Sequence, residues 1–368
     1  MAEIDGLLKL MTEKGSSDLH LKAGSPPAIR LNGRLIVLRE QFQSLNPEQT
    51  RILANGMMDE RQIHSFEQRR EIDFAYSLPG VGRFRVNVFH QRGSIGMTLR
   101  RVTTERESIE SLGLPATVRA LANEPRGLVL VTGTAGSGKT TTLAAMIDHI
   151  NSTRDGHIVT IEDPIEVLHQ DNRCIVNQRE IGIDTDSYAD ALRHVVRQDP
   201  DVILIGEMRD HETVAAAMTA AEIGNFVLST LHTIDATETI TRVIDFFPPY
   251  QQKQIRLMLA STLKGIISLR LIPSINGGLV PAVEVMVTTG TIREYIMDPD
   301  KTYIIRDAME DGEYYGMQTF DQSLLRLYTD RKITLDDAKA MAHNAHDFMI
   351  KVRQLGIDPQ AASESGIY

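Results

Sequence analysis

Along the first hundred residues, apolar and polar positions mostly alternate with a period of two. Asp18-Leu19-His20-Leu21-Lys22 alternates, and Ala28 to Leu38 contains Asn32-Gly33, a dipeptide that favours the tight turn of a hairpin. Ile72 to Ser77, Arg83 to His90 and Ser94 to Arg101 read as a meander, punctuated by Pro79-Gly80-Val81-Gly82 and Arg92-Gly93. Pro47 to Gln68 has helical spacing. The pattern predicts a small α+β domain with an antiparallel sheet over residues 1–102, then a polar linker over 103–112.

From residue 113 to 368 the texture changes to strands alternating with helices, which predicts an α/β domain with a parallel sheet. Leu128–Val131, Ile158–Ile161, Val202–Ile205 and Phe226–Leu228 are continuous apolar runs. Each is too unbroken for a one-sided sheet and too short for a helix, as expected of strands covered on both faces. Helical segments fall between them, including Ser187–Gln198 and His211–Ile223, the latter stopped by Gly224. Further on, Leu324, Leu325, Leu327, Ala338, Met341, Ala345 and Phe348 have the spacing of amphipathic helices whose apolar faces pack into a core, and Thr334 with Asp337 forms a capping-box-like start.

The first apolar run leads straight into Gly133-Thr134-Ala135-Gly136-Ser137-Gly138-Lys139-Thr140, with Thr141 next and helical spacing beyond. Strand, glycine-rich loop and helix in this order make a phosphate-binding P-loop. Glycines let several backbone N–H groups converge, and the helix N-terminus adds positive potential. Residues 133–141 are therefore the candidate nucleotide contacts, with Lys139 reaching the β- and γ-phosphates and Thr140 joining Mg²⁺.

Ligands in open α/β sheets sit beyond the carboxyl ends of the strands, and all four runs end in reactive residues. The second continues into Glu162-Asp163-Pro164-Ile165-Glu166; the third, Asp201 to Glu207, has the Walker B form of an apolar strand ending in an acid; the fourth reaches His232. Phosphoryl transfer requires a metal, a positioned water and donors to the equatorial oxygens. Glu207 is the candidate for the Mg²⁺ shell, Glu162 for polarising the attacking water with Glu166 as its alternate, and His232 for sensing the γ-phosphate. Asp163, before proline, equally suits a turn or a helix cap.

Arg92-Gly93 as a two-residue turn sets Gln91 opposite Ser94 and therefore Arg85 opposite Arg100. Like charges in direct opposition destabilise a strand pair, so the pair suggests a shared anion. That phosphate would belong to this chain's own P-loop or to a neighbouring subunit's, the second being arginine-finger chemistry.

Composition narrows the setting. Asp and Glu outnumber Lys and Arg by 49 to 39, a net charge of −10 that argues against a dedicated nucleic-acid binder. Cys174 is the single cysteine, which excludes an internal disulfide and a four-cysteine zinc site. No apolar stretch approaches the ~20 residues of a membrane span, and Met1 to Gly15 has no signal-peptide pattern, so the sequence predicts a cytoplasmic protein whose membrane contact is through partners only.

Taken together, the P-loop at 133–140, the acidic box Thr160–Glu166, Walker B at 201–207 and the box ending in His232 resemble the secretion ATPases of type II secretion and type IV pili, over essentially the whole chain. Ser17-Asp18-Leu19-His20-Leu21 and Gly127–Gly133 are similar as well. Gly316 to Leu324 resembles the pilus-retraction members, whereas Thr291 to Asp298 matches the retraction motif at only two isoleucines and one arginine, with Met297 replacing a second arginine. The resemblance implies a PAS-like N-terminal domain, a RecA-like ATPase domain, a homo-hexameric ring using ATP and Mg²⁺, and an inner-membrane pilus platform protein as partner. It further implies that Arg85 and Arg100 reach the nucleotide. A pilus-extension or secretion ATPase would share all these catalytic parts, and a RecA-like nucleic-acid translocase would share the fold.

Overall fold

The computed structural model describes residues 4–31, 33–102 and 107–354. Asn32 of the first hairpin turn, residues 103–106 of the expected linker and Leu355 lie outside them. The described residues divide into two compact units: residues up to 102 with Pro164–Leu168, and residues 107–163 with 169–354.

The first unit holds six antiparallel strands, β1 (Asp18–Lys22), β2 (Ala28–Leu31), β3 (Arg34–Val37), β4 (Glu71–Leu78), β5 (Gly82–Gln91) and β6 (Ser94–Arg101), in the order β3-β2-β1-β6-β5-β4. Leu31 pairs with Arg34, the register that a two-residue turn requires. Arg92 and Gly93 both have positive φ, 47° and 75°, as a type I′ hairpin turn demands. Alternation buries Phe84, Val86 and Val88 of β5 on one face, where they pack with Met97 and Leu99 of β6 and with Leu7, Leu8 and Met11 of the helix Ile4–Glu13. The segment expected as one helix is two, Pro47–Asn55 and Glu60–Arg69. The second is restarted by Asp59, whose carboxylate accepts the Gln62 N–H while Gln62 answers to the Asp59 N–H, a full capping box.

In the second unit, β7 (Gly127–Thr132), β8 (Gly156–Glu162), β9 (Cys174–Glu180), β10 (Val202–Ile205), β11 (Phe226–Leu231), β12 (Leu263–Pro273) and β13 (Leu279–Val287) form one sheet, ordered β13-β12-β7-β11-β10-β8-β9. All neighbours run parallel except β12 and β13. The four apolar runs are β7, β8, β10 and β11, at the centre of the sheet. Leu128 and Leu130 of β7 enter one core while Val129 and Val131 enter the other, which is why the run shows no alternation. Each such side chain contributes roughly 1.5–3 kcal/mol on burial. The helix His211–Ile223 ends at Gly224 as expected, and Tyr188–Val195 is capped by Ser187. Leu324, Ala338 and Phe348 are buried in a third cluster with Ile272 and Ala282, so the C-terminal helices pack on β12 and β13.

Candidate nucleotide site

β7 stops at Thr132, and the chain turns through Gly133–Gly138 into the helix Lys139–Thr153. Gly133 has φ 142°, and a Cβ there would lie 2.4 Å from Ser137 Oγ and 2.6 Å from the Leu269 carbonyl oxygen. Only glycine fits this closure. The next two α/β helices begin behind side-chain caps, Asp210 for His211–Ile223 and Ser187 for Tyr188–Val195, whereas Gly138 leaves Lys139–Thr153 with no capping side chain. Its first-turn donors and dipole are thus available to an external anion. Ser137 Oγ is buried without a hydrogen-bond partner in the same loop, a further polar atom suited to a phosphate oxygen. Thr140 is half-buried and Thr141 exposed in the first turn of the helix.

Lys139 folds across the loop, its Nζ donating to the carbonyls of Gly133 (2.8 Å) and Thr134 (3.0 Å) and to His232 Nδ1 (3.4 Å). An ammonium only donates, so Nδ1 accepts and the proton of neutral His232 stands on Nε2. That Nε2–H points to Glu207 Oε1 at 3.1 Å, and Arg209 Nε–H donates to Glu207 Oε2 at 2.8 Å. Walker A lysine, histidine and Walker B carboxylate form one continuous chain across the ends of β7, β11 and β10.

Glu162 ends β8 beside this chain. Ile161 pairs with Ile205, and Gly206 N–H donates to the Ile161 carbonyl at 2.8 Å, so Glu162 and Glu207 leave adjacent strands side by side. Glu162 is buried, and its Oε1 accepts from Thr160 Oγ1 (2.7 Å) and Gln178 Nε2 (3.0 Å), which fixes the carboxylate's orientation. Asp163 and Glu166 are exposed, and Glu166 takes no part in the chain from Lys139 to Glu207.

Two residues escaped sequence reasoning. Arg209 follows Walker B by two positions and carries a local signal in its charge alone. Tyr188 carries none: its hydroxyl stands where a Cβ on Gly206 would come within 2.8 Å. Burial first, then the Asp163, Glu162 and Glu207 carboxylates, push the Tyr188 hydroxyl well above its ordinary range, so it is a neutral donor at any physiological pH.

In the first unit Arg85 does stand opposite Arg100, and Gln91 opposite Ser94. Both arginines are exposed. An anion for Arg100 comes from the chain itself: Asp18, its neighbour on β1, accepts Arg100 Nε–H at 2.7 Å. Burial alone would raise the Asp18 carboxyl, but the Ser17 hydroxyl and the Arg100 guanidinium hold it below its ordinary value.

No group of three or more His, Cys, Asp or Glu side chains among the described residues makes a metal cluster. Mg²⁺ at a nucleotide needs only one or two protein oxygens, the rest coming from phosphates and water, and the Thr140 hydroxyl and Glu207 carboxylate are oxygen donors of that type.

The family model for type II/IV secretion system proteins matches residues 4–303. The chain belongs to this family. Its relatives include the type IV pilus ATPase PilU of Pseudomonas aeruginosa, 43% identical over 360 residues that cover 98% of this chain and 93% of that protein. The type IV pilus retraction ATPase PilT of the same organism is 44% identical over 346 residues, 94% of this chain and 100% of that protein. A crystal structure of the pilus retraction motor PilT with bound ADP is 46% identical and superposes with a TM-score of 0.87, covering 94% of this chain and 99% of that one. The antiparallel sheet followed by a mostly parallel P-loop sheet is therefore the fold of this branch of the family, as the motifs implied.

Proposed function

We propose that the chain is a Mg²⁺-dependent ATP hydrolase that works as a ring of six copies and drives disassembly and retraction of a type IV pilus. The observation that carries the reading is the hydrogen-bonded chain from Lys139 through His232 to Glu207, at strand ends beside an uncapped P-loop helix. The full-length similarity to PilT and PilU favours a pilus motor over other P-loop enzymes.

The amides of residues 133–141 and Lys139 hold the phosphates, Lys139 exchanging its carbonyl partners for phosphate oxygens. Mg²⁺, when bound by Thr140 and Glu207, supplies positive charge against the β- and γ-phosphates. Glu162, fixed by Thr160 and Gln178, orients a water whose oxygen forms a bond to the γ-phosphorus while the bond to the bridging oxygen breaks, leaving ADP and inorganic phosphate. His232 lies between Lys139 and Glu207 and registers the loss of the γ-phosphate. Arg85 and Arg100 offset charge on the transferred group within the assembled ring. The motor acts at the cytoplasmic face of the inner membrane through a platform protein; no helix among the described residues is long and apolar enough to cross a membrane.

The deciding experiment pairs nucleotide binding with phosphate release. Glu162→Gln should bind ATP normally and lose turnover by about 10²–10⁴-fold. Normal turnover in that variant would transfer the role to Glu166, and stimulation of the wild type by DNA or RNA would favour a translocase. Restoration of retraction in a deletion strain separates a retraction motor from an extension motor.

A further inference from the structure

One buried carboxylate has no part in the scheme above. Glu284 lies in β13, only 5% exposed. It faces Ser268 on β12; Ser268 pairs with Thr132 on β7, and Thr132 with Leu231 on β11. This row across four strands sits one residue before both Gly133 and His232. It is also polar in its middle, since Thr132 Oγ1 donates to Ser268 Oγ at 2.8 Å.

Glu284 joins two helix starts. Its Oε1 accepts the Ala236 N–H at 2.9 Å and its Oε2 the Phe320 N–H at 3.4 Å. Ala236 opens the helix Ala236–Asp245, four residues after His232, and Phe320 opens the helix Phe320–Thr329. Both helices already have side-chain caps, Asp235 and Thr319, so capping alone does not call for a buried acid. The stretch from His232 to Ala236 is braced by side-chain hydrogen bonds. Thr239 Oγ1 donates to the Asp235 carbonyl at 2.6 Å, which leaves its lone pairs to accept the Thr233 hydroxyl at 2.6 Å. Thr233, next to His232, is thereby tied to the first turn of that helix. On the far side, Asp321 accepts from Arg306 (2.8 Å) and from the His343 N–H (2.9 Å), and Arg270 covers the Phe320 ring at 3.8 Å while donating to the Met341 carbonyl at 2.6 Å. The second helix start is thereby tied to the last helices described.

We propose that Glu284 is a positioning residue for nucleotide hydrolysis: one carboxylate, shared by two helix N-termini, sets where His232 stands and couples its movement to the C-terminal helices. The inference rests on the reading of the chain as an ATP hydrolase. A neutral side chain would serve one helix at most, because two N–H donors converge on the two oxygens of an anion.

Burial pushes the Glu284 carboxyl up to about 7, opposed by the Ala236 N–H, raised further by Asp235 and opposed again by the Phe320 N–H and Arg270. Arg306, Asp307, Glu238 and His343 line the same cavity of about 610 Å³. Above that pH both oxygens accept; below it one carries a proton and meets an N–H, so the shared hold is lost. Turnover should fall as pH drops through about 7.

The test compares kcat, nucleotide affinity and pH profile in wild type and Glu284→Gln. Expected are a kcat lower by about tenfold or more, unchanged nucleotide affinity, and a flattened fall in turnover on the acid side. A wild-type kcat and profile would overturn the proposal, as would loss of nucleotide affinity in parallel with kcat, which marks a merely structural cap. Hydrogen exchange on the wild type covers a variant that fails to fold: a non-hydrolysable ATP analogue should change protection of the Ala236 and Phe320 amides together, and a change at Ala236 alone would defeat the coupling. Absence of any wild-type turnover would instead strike at the hydrolase reading, and the exchange result would still decide whether the two helix starts are coupled.

Discussion

In the seven-stranded sheet the reactive side chains stand where buried strands stop, whereas in the six-stranded sheet the arginines stand within paired strands and are exposed. The first arrangement is dictated by topology. β7, β8, β10 and β11 are parallel and buried on both faces, so charged side chains are left to their ends, and Lys139, Glu162, Glu207 and His232 gather there. Once together they satisfy one another: Lys139 to His232, His232 to Glu207, Arg209 to Glu207, Thr160 and Gln178 to Glu162. The second arrangement follows from alternation. Arg85 and Arg100 are displayed because Val86 and Leu99, one residue away, are buried. A site at strand ends is held by its own fold, while arginines on an open face need a partner to order them, and part of that partner is Asp18.

The comparison breaks most sharply at Arg85. If its exposed guanidinium is completed by nucleotide, Arg85→Ala should lower ATP turnover in the assembled protein by about 10³-fold or more with little change in melting temperature. Turnover near normal would leave Arg85 a solvated surface charge and confine the chemistry to the strand ends. The next largest effect belongs to Glu207→Gln, where the amide can accept from His232 or from Arg209 but cannot answer both as an anion. A loss of about 10²–10³-fold in kcat is expected. An unchanged kcat there would show that the chain from Lys139 to Glu207 takes no part in turnover.

The same contrast explains what could be read without coordinates. The strand ends were legible because a continuous apolar run has few alternatives in a P-loop context, and the Arg85–Arg100 register was legible because Arg92-Gly93 admits one short turn. Local pattern reached no further. β9, β12 and β13 were not anticipated: β9 alternates weakly between exposed Ile175 and half-buried positions, while Leu263 follows directly on the helix Pro249–Thr262 with no turn residue between them. Tyr188 opens an ordinary capped helix, and only the folded packing brings its hydroxyl beside Gly206, 18 positions later in the chain. Asp18 reaches Arg100 from β1, 82 positions earlier in the chain. Such partners are set by strand order, which short-range spacing does not encode.

Asp18 gives the smallest and most discriminating test. Its side chain is 4% exposed, but that of Arg100 is 68% exposed, so solvent screens most of the attraction. Asp18→Asn should therefore cost the first unit only about 1 kcal/mol at neutral pH, measured by urea unfolding. The pH dependence has a fixed sign. Because the folded carboxyl lies below its ordinary 3.8, its contribution is full above that value and is lost as pH falls through the lower folded value. The gap between wild type and variant should close in acid and stay constant from mildly acidic to neutral pH. Turnover then separates two meanings of the ion pair. If Asp18 holds Arg100 ready for phosphate, Asp18→Asn lowers kcat modestly while leaving Arg85 as critical as before. If it merely neutralises Arg100, releasing the guanidinium leaves kcat unchanged, and the exposed face contributes through Arg85 alone.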